Sequence, residues 1–168
     1  MLKIIESVIS SLEKRNYYAA LFVSLTLPDI CSALENGKTS GSKYASWFNT
    51  HLSQYNGYLS GNDCYALRCA LLHQGKDDIT DQKMQEVLEH YVFLTSGAHC
   101  NLIKDCIIDD EKVSFLQLNV QKFCEDICKA VEKWLDSVAN NKKIRERLEH
   151  TIDIHEPGYT YRGVIKFG

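Results

Sequence analysis

The segment SGNDCYALRCALLHQG, residues 60–75, carries the clearest helix start and stop signals in the chain. Ser60 followed three residues later by Asp63 is a capping-box pattern, which satisfies free backbone N–H groups at a helix start. Gly75 is typical of the position after a helix, where the backbone turns left-handed. Because apolar residues recur at helical spacing between these signals, we predict a helix packed into a core. Its inward stripe consists of Cys64, Leu67, Ala70 and Leu71.

Arg68 lies beside this apolar stripe rather than opposite it when the helix is projected at 100° per residue. A cation flanked by apolar residues needs a partner, because an unpaired buried charge costs several kcal/mol. One possible partner is an internal carboxylate, for which the candidates are Asp63, Asp29 and Glu35. The other is a phosphate, which a planar guanidinium binds with two parallel hydrogen bonds.

His73 lies in the last turn of the same predicted helix. A histidine titrates near neutral pH and can therefore give and take protons in a reaction. On an ideal helix Arg68 and His73 are about 140° apart around the axis and roughly 7.5 Å apart along it. They can converge within one chain only through the long stem of arginine. Two copies related by a two-fold axis would pool two such pairs in one cleft.

The run LRCALLHQG, residues 67–75, resembles the signature of the HEPN superfamily, an arginine followed by four to six residues and a histidine. These helical domains occur in RNA-cleaving toxins, phage-defence proteins and nucleotide-binding modules. The resemblance implies a HEPN-like helical bundle and a metal-independent endoribonuclease that acts as a homodimer without a cofactor. It also implies that His73 is the acid/base and that Arg68 stabilises charge on the phosphate, with Cys69 and Asp63 in supporting positions.

Cys69 departs from the family pattern, because the residue after the arginine is often polar in this superfamily. A second hypothesis is therefore a non-catalytic HEPN-like module that binds a nucleotide, RNA or a protein partner such as an antitoxin. A third is a plain interaction domain, in which Arg68 makes a structural ion pair and His73 is a helix-end residue.

The composition is that of an ordinary globular domain, with 168 residues, 45% hydrophobic residues and a formal net charge of −3. No strong overall field draws such a chain to nucleic acid or to an anionic membrane. An RNA partner therefore needs a local basic patch. The candidate patch is the run containing Lys142, Lys143 and Arg145, which Glu146 and Glu149 interrupt.

The seven cysteines are odd in number and show no Cys-x-x-Cys spacing, which favours free thiols in a reducing cytoplasm over a disulfide framework. The most apolar N-terminal run, residues 17–27, is too short to cross a bilayer, which takes about 20 residues. We interpret it as a buried helix and expect no membrane partner.

The rest of the chain predicts a mainly helical fold, α+β overall. Asn16 is a candidate cap for a second helix, which Pro28 is expected to kink or restart and Asn36-Gly37 to end. Further helices are predicted over residues 44–55, 120–138 and 142–150, with strand composition near residues 91–94, 102–108 and 113–118.

These elements are expected to form one domain, residues 1–168. Its helical core comprises about 1–76 and 119–150, its strand-rich antiparallel insertion about 90–118, and a C-terminal strand about 159–167. The C-terminal strand is a candidate to join the strands of the insertion.

Three other groups of residues are candidate chemical sites. Cys64 or Cys69 could form a nucleophilic pair with a histidine. The alternative is that these cysteines are simply buried in the core. Cys124 and Cys128 share a helix face and would need further ligands to bind zinc, so core packing is the favoured interpretation. His150, His155, Asp153 and Glu156 could form a surface metal site, with a solvated hinge as the alternative. The prediction is that the chain has no metal site.

Overall fold

A computed structural model describes residues 1–79, 90–161 and 163–168 and confirms a fold dominated by helices with a small sheet. The helices are α1 (Leu2–Glu13), α2 (Tyr17–Asn36), α3 (Gly41–His51), α4 (Gly61–Gln74), α5 (Val120–Val138) and α6 (Lys142–Leu148). A short 3₁₀ turn, Ser53–Tyr55, follows α3. The strands are β1 (His90–Leu94), β2 (Asn101–Ile108), β3 (Glu111–Asn119), β4 (Thr160–Tyr161) and β5 (Ile165–Lys166).

The helix boundaries follow from local capping groups, as the sequence predicted. The Asn16 side chain accepts a hydrogen bond from the Ala19 backbone at the start of α2. Gly37 and Gly75 end α2 and α4 in the left-handed conformation, with φ of 80° and 67°. Each of these groups satisfies backbone atoms that a helix end would otherwise leave without partners.

The expectation that Pro28 restarts the second helix is wrong, because α2 is one helix of 20 residues with Pro28 inside it. Proline removes one helical hydrogen bond and costs about 3 kcal/mol in a helix interior. Leu25, Leu27 and Cys31 are completely buried on either side of it. Burial of each such side chain contributes about 1.5–3 kcal/mol, so packing holds the helix through the proline.

α2 is also longer than the apolar run from which a short core helix was predicted. By length and composition it meets the requirement for a membrane span, and half of the residues in its most apolar window are buried inside the protein. It is the only such helix in the described part of the chain. The buried helix at the centre of a soluble domain satisfies the same criteria, and α2 contacts α1, α3, α4, α5 and α6.

The first sheet is mixed, which corrects the expectation of a purely antiparallel element. β3 lies in the centre, antiparallel to β2 and parallel to β1, with Tyr91 opposite Leu116. Asp109 and Asp110 adopt positive φ in the tight turn that joins β2 to β3, and a turn this short forces antiparallel pairing. No such turn connects β1 to β3, so the direction of β1 depends on tertiary packing.

The sheet shares the core of the helical bundle. Tyr91, Leu116 and Leu118 are buried in the same cluster as Phe123 and the inward residues of the helices. The C-terminal segment differs from its prediction, because residues 159–167 contain two short strands, β4 and β5, that pair only with each other among the described strands.

Gly61 sets the position of α4 against α3. A Cβ atom added there would lie 2.6 Å from the Cα atom of Ala45, so only glycine permits this approach. The Gly61 backbone N–H also donates to Asn49 Oδ1 on α3 at 2.7 Å. These contacts hold the start of the helix that carries Arg68 and His73.

Candidate functional site around Arg68 and His73

α4 begins and ends as its capping residues predicted. The Asp63 backbone N–H donates to Ser60 Oγ, and the Ser60 hydroxyl donates to Asp63 Oδ2, each at 3.0 Å. Asp63 is buried and belongs to this N-terminal cap. It therefore stabilises the helix that carries the candidate site, five residues before Arg68.

Arg68 pairs with Asp29 of α2, one of the three carboxylates considered for it. Arg68 Nε lies 2.9 Å from Asp29 Oδ2, and the two side chains are 21% and 13% exposed. The N–H of Nε does not point at this oxygen, so the contact is an ion pair without an aligned hydrogen bond. Burial by itself would lower the pKa of Arg68, but Asp29 and then Cys69 outweigh it, and the pKa is raised.

Asp29 is held from its other side by a small hydroxyl network. Thr39 donates its hydroxyl hydrogen to Asp29 Oδ1 at 3.1 Å, and Ser32 Oγ lies 2.7 Å from Thr39 Oγ1. Asp29 and Ser32 lie on α2, whereas Thr39 follows that helix's glycine stop. The carboxylate therefore has a defined position, from which it orients the arginine.

His73 meets Arg68 within the same chain, as the reach of an arginine stem allows. Arg68 Nη1 and His73 Nε2 are 3.1 Å apart. A guanidinium has only donors, so His73 Nε2 accepts in this contact and the ring hydrogen resides on Nδ1. His73 is exposed, which leaves its accepting nitrogen open to exchange Arg68 for a ligand hydroxyl.

Chemically, this arrangement joins a fixed positive charge to a proton acceptor at the protein surface. Asp29 occupies the Nε side of the guanidinium, and His73 contacts Nη1. Phosphate binding at such a site uses the remaining guanidinium donors. Proton abstraction uses the imidazole nitrogen.

Cys69 lies beside the arginine and is half-buried. It interacts with Tyr65, whose pKa is raised by burial and then by Cys69. Tyr65 packs edge-on against Tyr44, with ring centroids 5.3 Å apart. The position that is often polar in the HEPN superfamily is thus occupied here by a thiol next to a tyrosine hydroxyl.

The predicted basic run forms α6, whose Lys142, Lys143 and Arg145 are exposed. Lys142 lies 4.0 Å from Glu146, so part of this charge is paired within the helix. The neighbouring Arg147 has another role that the sequence did not reveal. It donates Nη1 hydrogens to the carbonyl oxygens of Leu34 and Glu35 and thereby caps the end of α2.

Burial explains three of the cysteines considered as chemical sites, Cys64, Cys124 and Cys128. Cys64 is completely buried beside the Tyr44 hydroxyl at 3.4 Å, and burial raises its pKa to about 12. Cys124 and Cys128 are buried in the core, and burial raises their pKa values to about 11 and about 12. Thiols of this kind are poor nucleophiles and poor metal ligands, since both roles require a thiolate. All seven cysteines are described and none is in a disulfide.

The C-terminal histidine cluster is held by packing contacts. His155 stacks on Tyr159 with centroids 3.6 Å apart, and Asp153 pairs with Lys3 at 2.7 Å. Within residues 1–79, 90–161 and 163–168, no three metal-ligating side chains converge. Asp153 Oδ2 also lies 3.9 Å from His155 Nδ1, so these two side chains are neighbours, with Lys3 on the other oxygen of Asp153.

A second histidine cluster was not predicted at all. The Asn119 backbone N–H donates to His99 Nδ1 at 3.2 Å, and His99 Nε2 lies 3.0 Å from the Tyr55 hydroxyl. That hydroxyl donates to Asp126 Oδ2 at 3.1 Å. Tyr55 is 44 residues from His99 and 71 from Asp126, so no sequence motif could have joined them.

No protein-family model, curated protein or solved structure matches the chain. Function is therefore inferred from the side chains themselves. Among the described residues, the Arg68–His73 pair combines a cation with an exposed imidazole in direct contact.

Proposed function

We propose that this chain is a metal-independent endoribonuclease of the HEPN type. The observation that carries the proposal is the 3.1 Å contact between Arg68 Nη1 and His73 Nε2 on an exposed part of α4. RNA cleavage through its own 2′-hydroxyl needs a proton acceptor beside a fixed cation, and this pair supplies both.

In the proposed reaction, His73 Nε2 takes the proton of the 2′-hydroxyl, whose oxygen attacks the adjacent phosphorus. Arg68 stabilises the charge that develops on the non-bridging oxygens. The bond from phosphorus to the 5′-oxygen breaks, and that oxygen receives a proton. In a homodimer the imidazolium of the second copy is the donor. The products are a 2′,3′-cyclic phosphate and a 5′-hydroxyl.

Asp29 acts in this scheme as a positioning residue. It contacts Arg68 Nε, while Thr39 fixes its other oxygen. A guanidinium held in this way loses less side-chain entropy when it binds a phosphate, which favours tight recognition. Lys142, Lys143 and Arg145 are proposed as weaker contacts to the RNA backbone.

The proposal includes a cytoplasmic setting and a role as a toxin or phage-defence effector, with an antitoxin or similar protein as a partner. A second candidate is a non-catalytic HEPN-like module that binds RNA or a nucleotide. Cys69 in the usually polar position supports this candidate. The ion pair between Arg68 and Asp29 favours a third candidate, a plain interaction domain in which the arginine is structural, because the carboxylate already neutralises the arginine.

The test is incubation of the purified chain with single-stranded RNA of mixed sequence in the presence of EDTA. We expect cleavage that leaves 2′,3′-cyclic phosphate ends, and at least a hundredfold loss of rate in Arg68→Ala and in His73→Ala. The matched controls are Arg15→Ala and His150→Ala, which change the same residue types at exposed positions that have no proposed role. Cleavage that persists in both site variants would refute the assigned roles. RNA binding without cleavage would favour the second candidate.

A further inference from the structure

A cavity of about 540 Å³ lies at the C-terminal end of α4, where α2, α4 and β1 come together. Its size falls within the usual range of small-ligand pockets, roughly 300–1,000 Å³. α2 contributes Tyr18 and Phe22, and the end of α4 contributes Leu71 and Gly75. Neighbouring walls are formed by Tyr91, Phe93 and Asp77.

Aromatic rings dominate this cavity, and one of them is unusually accessible. Tyr18 is 78% exposed although it lies on a helix with a buried face. Its ring meets the half-buried ring of Phe22 edge-on, with centroids 6.4 Å apart. An exposed aromatic ring beside a concave, partly apolar surface offers a face on which another flat ring can stack.

The cavity and the Arg68–Asp29 pair lie at two levels of the contact between α2 and α4, and neither Arg68 nor Asp29 lines the cavity. Asp29 is seven residues after Phe22, and Gly75 is seven residues after Arg68. Seven residues return to nearly the same face of a helix after a rise of about 10 Å. Since Asp29 contacts Arg68 while Phe22 and Gly75 line one cavity, the two helices run in opposite directions.

The hydrogen-bonding groups differ between these two places. Arg68 supplies guanidinium N–H donors beside the Asp29 carboxylate, which balances its charge, whereas Asp77 lines the cavity. A carboxylate repels phosphate but accepts hydrogen bonds from the amino and ring N–H groups of a nucleobase. The two places are therefore complementary to a strand that has a phosphate on the remaining donors of Arg68 and an unpaired base in the cavity.

We propose that this cavity, referred to here as the α2–α4 base pocket, binds an unpaired nucleobase of single-stranded RNA next to the phosphate that Arg68 holds. This inference rests on the proposed function, because it assumes that RNA is the ligand of Arg68. It adds the part of the site that recognises single strands. The rings provide stacking, and Asp77 selects bases that present N–H donors.

The test measures binding apart from cleavage. A fluorescently labelled 2′-fluoro RNA strand of mixed sequence lacks the attacking hydroxyl, so its dissociation constant can be measured by fluorescence anisotropy at fixed salt. Loss of one base–aromatic stack corresponds to about 5- to 150-fold weaker binding. We expect Tyr18→Ala to weaken binding at least fivefold and Tyr18→Phe to restore it.

Tyr58→Ala is the matched control, because Tyr58 is also an exposed tyrosine but lies outside the base pocket. It should bind like the unchanged protein. An abasic sugar–phosphate strand of the same length should bind equally to the unchanged protein and to Tyr18→Ala. Failure of the unchanged protein to bind the labelled strand, or equal binding by Tyr18→Ala, would overturn the base pocket.

The two proposals fail separately. If the chain cleaves RNA but Tyr18→Ala binds the 2′-fluoro strand normally, the base pocket is wrong and the ribonuclease assignment stands. If no RNA is cleaved but binding depends on Tyr18, the catalytic assignment is wrong and the pocket stands as a single-strand binding site.

Discussion

Two histidine clusters in this protein contain similar side chains in opposite environments. His73 contacts a guanidinium at the exposed end of α4. His99 is 13% exposed and is enclosed by a tyrosine hydroxyl and a backbone N–H. Each ring is linked to a carboxylate through one side chain. Arg68 links His73 to Asp29, and Tyr55 links His99 to Asp126.

The difference shows how an imidazole suited to chemistry differs from one that ties a fold together. Both ring nitrogens of His99 already have protein partners, so no hydrogen-bonding position remains for a ligand. Its contacts join the loop before β2, the end of β3 and the bundle. Within the described residues, His73 contacts a side chain that itself can bind a phosphate. Exposure and a replaceable partner, rather than the histidine itself, mark the candidate site.

The largest expected effect comes from exchanging the two histidines for glutamine one at a time. His73→Gln should reduce RNA cleavage by about 10²- to 10⁴-fold, since an amide cannot take up the proton, and should leave the melting temperature unchanged. His99→Gln should retain cleavage and lower the free energy of unfolding by about 1–3 kcal/mol. Cleavage rates and thermal denaturation of both variants measure this. If His99→Gln abolishes cleavage and His73→Gln only lowers stability, His99 is the catalytic residue and His73 the structural one.

Tyr55→Phe sharpens the structural side of the comparison. It removes the hydroxyl that links His99 to Asp126 and leaves both partners without that hydrogen bond inside the protein. We expect a loss of about 1–3 kcal/mol in the free energy of unfolding, measured by urea denaturation. A cycle with Asp126→Asn should show coupling between the two positions. Additive effects would mean that the hydrogen bond contributes nothing of its own.

Asp29→Asn tests whether the carboxylate beside Arg68 positions the arginine. We expect a rise in KM for RNA of about tenfold with a smaller change in kcat, because the guanidinium loses its orientation before the phosphate binds. The cost in folding free energy should be about 1–3 kcal/mol, since the facing atoms of the pair are buried although both side chains are partly exposed. Asp29→Glu should recover part of the KM effect. An unchanged KM would show that Asp29 has no positioning role.

The smallest effect is the pH dependence of stability. Burial lowers the pKa of His99, although Asp126 partly opposes this. The unfolded chain therefore takes up a proton near pH 6.5 that the folded chain resists. Stability should be fully present above pH 6.5 and should fall as the pH drops toward the lowered pKa of His99.

Melting temperatures between pH 8 and pH 5 measure this slope, which His99→Gln should reduce. Burial lowers the pKa of His51 in the same direction, so a smaller slope should persist in the variant. An identical slope in both proteins would contradict the role given to His99.

Much of the helical structure was predictable because its signals are local. Ser60, Asp63 and Gly75 bracket α4 as expected, and Asn16 caps α2. The contact between Arg68 and His73 was foreseen only as a possibility that depends on the arginine stem. The choice of Asp29 over Asp63 and Glu35 was not predictable. Glu35 accepts instead from Trp134 Nε1 at 2.6 Å, a residue 99 positions away.

Helix ends and apolar faces were determined by the order of residues alone, because helical hydrogen bonds and caps join groups only a few positions apart. Tertiary packing decided the parallel pairing of β1, the continuation of α2 through Pro28, the partner of Arg68 and the cluster around His99. Each of these joins distant segments or depends on how much apolar surface the whole core buries. Such contacts exist only after the helices and the sheet have packed together.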